Sequence, residues 1–409
     1  MSNGTEEGLS KSNLSASGKT RLWILIIVAL ILSLAAVYYC FIYDKSDKNS
    51  GTNKTTKTTL SSGPVIIPQK ILDNKFGFLG GGADDTGDGI KERGAIWVRP
   101  HPGAFVWDMM QKSTNGKIDF TIADEEISNY QKNNLGILAT IWPFADWDQK
   151  NLVNAADCKV SSNDEFLLKN DKKGRGSYLP QYRCNPSDWT AYQKWVEAIV
   201  ERYDGDGVND MPGLKIPIKY WEVMNEPDLQ YQSNLLAGET DRLNFYKQGP
   251  SEYGKLLVET NNAIKAADPA ANVLIAGAAG ADERMLGFYQ KVFAVAEAKN
   301  SFDIGNIHCI SNDNGTNDFN VGAYKKMLAD FGITKPIWVT EAEAMNGKTA
   351  DQNFENTKKG TAGAIAAGAE RIFYTRYDFD DFRTDMSKIN GPSNYPSSEK
   401  YQTIINENN

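Results

Sequence analysis

Eight short runs of β-branched and apolar residues recur between Phe76 and Tyr377, and stretches with helical periodicity separate most of them. The runs are FGFLGG (76–81), AIWVR (95–99), GILATIW (136–142), IKYWEVMN (218–225), NVLIAGA (272–278), DIGNIHC (303–309), PIWVTE (336–341) and RIFYTRY (371–377). A near-continuous apolar run is the mark of a strand covered on both faces, and parallel strands require a long crossover between them, usually a helix. The intervening stretches supply such crossovers. They are DEEISNYQKN, DWTAYQKWVEAIVERY with Asp188 as its cap, SEYGKLLVETNNAIKAA, ERMLGFYQKVFAVAEAK, VGAYKKMLADFG and FENTKKGTAGAIAAGA. No glycine-rich phosphate loop follows the first run, so the order predicts an α/β fold of the (β/α)8 TIM barrel type over residues 72–409 rather than an open dinucleotide-binding sheet. An insertion is expected at 148–186, between the third strand and its helix, and there is no convincing internal repeat.

The N-terminal part has a different texture. Residues 1–21 are polar and aperiodic, and are expected to form a disordered tail. Residues 22–43 contain WILIIVALILSLAAVYYCFIY without a charge, enough at 1.5 Å per residue to cross a hydrocarbon core of about 30 Å. Trp23 and the tyrosines 38, 39 and 43 fit the two interfacial belts. A retained transmembrane anchor is the expectation, the alternative being a signal peptide cleaved near SLAA. Lysines flank both ends, so charge does not orient the span. Residues 44–71, which open with a Ser, Thr, Lys and Gly tract, read as a linker.

Of the 409 residues, acidic groups outnumber basic ones to a net charge of -8, which argues against a nucleic acid partner, because phosphate binding needs a basic face. Two histidines and four scattered cysteines leave no local zinc pattern, and no metal or organic cofactor is expected. Cys158 and Cys184 bracket a loop-like stretch and are a candidate disulfide, the alternative being two buried thiols. The aromatic residues, 9 Trp, 18 Tyr and 17 Phe, offer flat apolar faces to sugar rings, although most must serve the core.

In a (β/α)8 barrel reactive side chains stand where strands end. Strand two ends in Arg99, with His101 just beyond; strand three in Trp142; strand four in Asn225 and Glu226; strand six in His308; strand seven in Glu341; strand eight in Arg376 and Tyr377. Two carboxyls facing each other across one barrel mouth suit glycoside cleavage, in which one group protonates the departing oxygen and the other attacks the anomeric carbon. An ionised Glu341 beside Arg99 is expected to raise the pKa of Glu226 and keep it protonated. Other readings remain. Glu343 competes with Glu341; Glu222 reads as an interior polar residue or a partner of Arg99; and Trp107, Trp142 and Trp147 read equally as core. Asp204, Asp206, Asn209 and Asp210 resemble part of a calcium loop but suit a surface turn as well. The sequons at Asn53 and Asn314 matter only in a glycosylating host.

The stretch YWEVMNEPD (220–228) resembles the Asn-Glu-Pro signature of clan A glycoside hydrolases, and PIWVTEAEA (336–344) their strand-seven nucleophile segment. The resemblance spans roughly residues 75–409 and is similar in its motifs to family 39 and family 5 members. It implies a retaining hydrolase acting on an equatorial, usually β, linkage of an oligo- or polysaccharide. Glu226 would be its acid/base, Glu341 its nucleophile, and Arg99 the residue that holds the nucleophile. Asn225 would bind the sugar 2-hydroxyl, and His308, His101, Trp142 and Tyr377 are expected around the substrate. The chain departs from the pattern after His308, where Cys309 and Ile310 stand in place of a nearby Tyr, and at the end of strand eight, which lacks a Trp. A surface barrel that binds carbohydrate without turnover, and an inverting enzyme with wider carboxyl spacing, are the alternatives. The anchored barrel is expected on the outer, extracytoplasmic side of the membrane, where polymeric glycans are met and a disulfide can persist.

Overall fold

The computed structural model describes residues 63–81, 85–164, 166–167, 178–229, 243–310, 317–344, 346–375 and 396–409. The expected tail and membrane segment, most of the expected linker, both sequons, Arg376 and Tyr377 lie outside the described residues. No helix among the described residues is long and apolar enough to cross a membrane.

All eight expected strands are present: β1 (Phe76–Gly80), β2 (Trp97–Pro100), β3 (Gly136–Ile141), β4 (Tyr220–Val223), β5 (Asn272–Ile275), β6 (Gly305–Cys309), β7 (Ile337–Ala342) and β8 (Ala369–Tyr374). They run parallel in the order β5-β4-β3-β2-β1-β8-β7-β6. Parallel bridges from Leu274 to Ile304 and from Ala278 to Ile307 close β5 onto β6, which makes the sheet a barrel. After each strand comes a helix: α1 (Asp88–Glu92), α2 (Thr121–Lys132), α3 (Trp189–Tyr203), α4 (Pro250–Ala267), α5 (Glu283–Val292), α6 (Val321–Asp330), α7 (Ala350–Ala367) and α8 (Ser398–Asn408). α1 and α8 are additions to the sequence reading, and α5 is shorter than its apolar pattern suggested. α8 covers β1 and β8 through Tyr401, whose ring lies 5.3 Å from Phe78 and 5.1 Å from Tyr374.

Local signals explain the helix ends. The Asp188 side chain accepts from the Ala191 amide at 3.0 Å and starts α3, whose Tyr192, Trp195, Val196, Ile199, Val200 and Tyr203 are buried at helical spacing. α7 starts at Thr349 and stops at Gly368, where φ is +108° and the amide turns back to the last carbonyls of the helix.

Inside the barrel, side chains two apart on a strand point the same way and form layers. At the N-terminal end Trp97, Tyr220, Trp338 and Phe373 pack edge to face and face to face, with the Arg371 guanidinium 4.3 Å from the Trp97 ring. One layer up, at Arg99, Glu222 and Thr340, the interior turns polar, and this polar layer is the floor of the candidate site.

The insertion between β3 and α3 is present and carries the Cys158 to Cys184 disulfide. Within it Arg183 is fully buried, paired with Asp164 at 2.9 Å and donating to the carbonyl of Asn244, which ties the insertion to the segment before α4. Packing also extends upstream of the expected boundary at residue 72. Ile71 is buried, its carbonyl accepts from the Trp97 indole at 2.8 Å, and the Val65 amide donates to Gly205.

Candidate active site

Arg99 is the hub. Its side chain is fully buried at the end of β2, and its three nitrogens reach Glu222 at 2.8 Å, Glu341 at 2.8 Å and Asn225 Oδ1 at 2.6 Å. A planar guanidinium can serve three acceptors at once in a way that an ammonium cannot. Burial of such a cation is tolerable only with carboxylates around it, and two are present.

Glu341 reaches the barrel through an irregularity in β7. The register with β6 shifts between Ile307 and His308, so that His308 pairs with Glu341 and Thr340 is skipped. Strict alternation would send Thr340 and Glu341 to opposite faces; here both point inward, one bonding Asn306 and His308, the other Arg99. Glu226 reaches the same place from a strained backbone. Met224 has φ +70° and Glu226 φ +40°, left-handed conformations that cost on the order of 1–3 kcal/mol each and recur at active sites. The turn is pinned by Asp228, which is fully buried and accepts from the Ala279 amide at 3.0 Å.

Carboxylate oxygens of Glu226 and Glu341 and a ring nitrogen of His308 lie within 4.8 Å of one another. The triad is a poor cation site, because the Arg99 guanidinium already occupies one Glu341 oxygen and His308 Nδ1 is engaged by Glu226 Oε1 at 2.7 Å. The two carboxyls differ in their surroundings. Burial lifts Glu226 to about 7, the charge of Glu222 adds to this, and Arg99 opposes it without touching it. The expected source of that rise was Glu341; burial dominates, and Glu222 is the neighbouring charge that contributes. Burial raises Glu341 as well, but the contact with Arg99 at 2.8 Å holds its charged form directly. His308 is pushed down to about 4 by burial, so its ring is neutral.

The remaining expected residues divide. Arg99, Asn225 and His308 converge with the two glutamates. His101 stands at the rim, its ring 5.4 Å from Phe166 of the insertion and 5.9 Å from Phe245, and burial holds it well below the usual histidine range. Trp142 does not present a face. It is fully buried, donates to the Pro102 carbonyl at 2.8 Å, and supports the rim from beneath. Trp107 is likewise core, and Trp147 is partly buried against it at 4.9 Å. Glu343 is buried and accepts from the Thr375 hydroxyl at 3.1 Å, whereas the Arg99 contact belongs to Glu341. Glu222 is a partner of Arg99, one of its two expected readings. The carboxylates of Asp204, Asp206 and Asp210 accept backbone amides of their own turn between α3 and β4, at the opposite end of the barrel from Glu226 and Glu341.

Sequence reasoning missed Thr140, Asn306, Thr340 and Gly277. Asn306 had a signal, standing two residues before His308 on the same strand and so on the same face. Gly277 had none, since only the structure reveals that a methyl group there would meet the His308 ring.

No protein-family model matches the sequence, and no curated protein matches it either. Solved structures do match. A glucosidase from Croceicoccus marinus superposes with a TM-score of 0.53 at 14% identity, over 85% of this chain and 69% of that one. A monomeric β-xylosidase from Caulobacter crescentus CB15 gives 0.52 at 15% identity, over 77% of this chain and 61% of that one. A psychrophilic family 10 endo-β-1,4-xylanase gives 0.51 at 13% identity, over 82% and 98%. The chain shares the (β/α)8 fold of these enzymes. It spans about two thirds of the length of the glucosidase and about three fifths of that of the xylosidase.

Proposed function

We propose that the chain is a retaining glycoside hydrolase that cleaves a β-linked glycan by double displacement, with Glu341 as nucleophile and Glu226 as acid/base. The observation that carries the reading is the spacing of the two carboxyls, which have oxygens within 4.8 Å of one another. Retaining enzymes set the pair about 5–5.5 Å apart, and inverting ones about 6.5–9.5 Å to admit a water. The unequal environments fit the two roles, a carboxylate clamped by Arg99 and a carboxyl lifted to about 7 by burial. Structural neighbours named as a glucosidase, a β-xylosidase and a xylanase support the same class.

In the first step a Glu341 oxygen forms a bond to the anomeric carbon while the glycosidic C–O bond breaks. The departing oxygen keeps that electron pair and takes the Glu226 proton. In the second step the Glu226 carboxylate takes a proton from water, whose oxygen attacks the anomeric carbon and releases Glu341. A panel of aryl β-glycosides and β-glycans tests this, with product configuration read by NMR. Glu341→Ala is expected to abolish turnover, and added azide to restore it as a glycosyl azide of inverted configuration. Glu226→Ala is expected to lose about 10²–10⁴-fold on poor leaving groups and little in the first step on good ones. Wild-type turnover by Glu341→Ala refutes the assignment. Glycan affinity that survives replacement of both glutamates by Gln, in a chain that never hydrolyses, would make it a binding barrel.

We further propose that residues 22–43 anchor the barrel, with the glycan met on the outer side of the membrane. The uncharged apolar run and the Cys158 to Cys184 disulfide support this reading. Protease treatment of intact cells is expected to release barrel fragments, and a protected barrel refutes it.

A further inference from the structure

Beneath the two carboxyls, buried hydrogen bonds run from Arg99 to Glu226, and for a neutral His308 ring the count of donors and acceptors along them has one solution. Glu222, ion-paired with Arg99, is a carboxylate and only accepts. It takes Arg99 Nε at 2.8 Å and the Thr140 hydroxyl at 2.7 Å on one oxygen, and Asn306 Nδ2 at 2.6 Å on the other. The orientation of the Asn306 amide is therefore decided, since the reverse would press two acceptors together. Its Oδ1 is left as an acceptor, 2.7 Å from Thr340 Oγ1. Thr340 also lies 3.4 Å from Glu222 Oε1, a second atom that can only accept, so its single hydroxyl hydrogen is committed on this side. What Thr340 offers to His308 Nε2, 2.9 Å away, is a lone pair. Nε2 must carry a hydrogen. A neutral imidazole has only one N–H, so Nδ1 is bare. Nδ1 lies 2.7 Å from Glu226 Oε1, and two bare acceptors at that distance repel. The hydrogen between them belongs to Glu226.

We propose that Thr340 and Asn306, anchored on Glu222, are positioning residues that select the Nε2–H tautomer of His308 and thereby seat the acid proton on Glu226. The proposal deepens, and rests on, the reading of Glu226 as acid/base. A bare Nδ1 favours the protonated carboxyl and opposes the carboxylate, which also makes Glu226 a stronger base toward water in the second step. Donation to a leaving oxygen exchanges one acceptor for another and moves no charge onto His308. Charged and titratable groups around the pair are Arg99 on β2, Glu222 on β4, Asp228 in the following loop, Glu341 on β7 and His101 at the rim.

The chain has only two histidines, which makes the tautomer directly readable. The full-length protein carrying [15N]histidine is examined by NMR on the acid side of the Glu226 titration, with His101→Phe to assign the rings. The expected spectrum has a protonated Nε2 and a bare Nδ1 on His308. Thr340→Val removes the acceptor for Nε2, so His308 turns to its Nδ1–H form, which donates to the Glu226 carboxylate and stabilises it. The basic limb of kcat/KM on an aryl β-glycoside with a poor leaving group then moves down by about one pH unit, the worth of one buried hydrogen bond. Thr340→Ser is expected to restore both tautomer and limb. An Nδ1–H or doubly protonated His308 in the unsubstituted chain overturns the proposal, whether or not Thr340→Val folds. So does an unchanged tautomer in a folded Thr340→Val protein. A chain that shows the expected tautomer and hydrolyses no glycoside would retain the hydrogen-bond assignment and lose the enzymatic reading.

Discussion

Gly277 lies just past β5, and its missing side chain makes room for His308. A Cβ built there stands 2.0 Å from His308 Nε2, 2.5 Å from Cδ2 and 2.6 Å from Cε1. Ordinary contact begins at 3.4 Å, so Gly277→Ala requires a displacement of 3.4 - 2.0 = 1.4 Å from a ring with no exposed surface. That movement cannot preserve both the 2.9 Å contact with Thr340 and the 2.7 Å contact with Glu226. Overpacking of a tight core costs about 1–3 kcal/mol, and a broken buried hydrogen bond about 1–3 kcal/mol more. A loss of about 2–6 kcal/mol in stability is expected, measured by urea denaturation. Because a misplacement of about 1 Å costs on the order of 10²-fold in rate, kcat/KM on a poor leaving group should fall at least that far. Gly287→Ala is the control. It lies within α5 with nothing within 4 Å of the added methyl, and the substitution should stabilise by roughly 0.5–1 kcal/mol. Wild-type melting and activity in Gly277→Ala would refute the assigned place of His308.

Activity should be bell-shaped in pH, rising as Glu341 loses its proton and falling through about 7 as Glu226 loses its own; a kcat/KM profile checks this, and a rate still rising well above that pH would exclude Glu226 as the acid. Glu126 is fully buried with one oxygen unpartnered, and burial lifts it from 4.5 to about 8. The folded state then holds more protons than the unfolded one across that window, so the stability it contributes below 4.5 is lost as pH rises toward 8. Glu126→Gln should therefore stabilise more at the top of the window than at the bottom, by a few kcal/mol, as read by denaturant melts at the two ends. Reduction of the Cys158 to Cys184 bridge, whose ends are 26 residues apart, should destabilise by about 3–4 kcal/mol on the chain-entropy account. Melts with and without reductant measure that loss, and identical curves would show that the bridge adds no stability.

The sequence by itself determined the fold class and the strands that carry the carboxyls. Apolar runs alternating with amphipathic stretches are a local pattern, and a barrel places every strand end on one face, so Arg99, Asn225, Glu226, His308 and Glu341 could be read as neighbours from the chain alone. Only the tertiary structure decided how they meet. The shift in register at β7 turns Thr340 and Glu341 to the same side, against the alternation that the sequence implies, because pairing with β6 rather than strand period governs there. Trp142 shows the converse. Its position at a strand end suggested a sugar platform, yet it is wholly buried, since neighbouring loops decide whether a ring at a rim is covered. Proton placement depends furthest on tertiary context, for it follows from distances among Glu222, Asn306, Thr340 and His308, residues on three strands whose roles no spacing along the chain encodes.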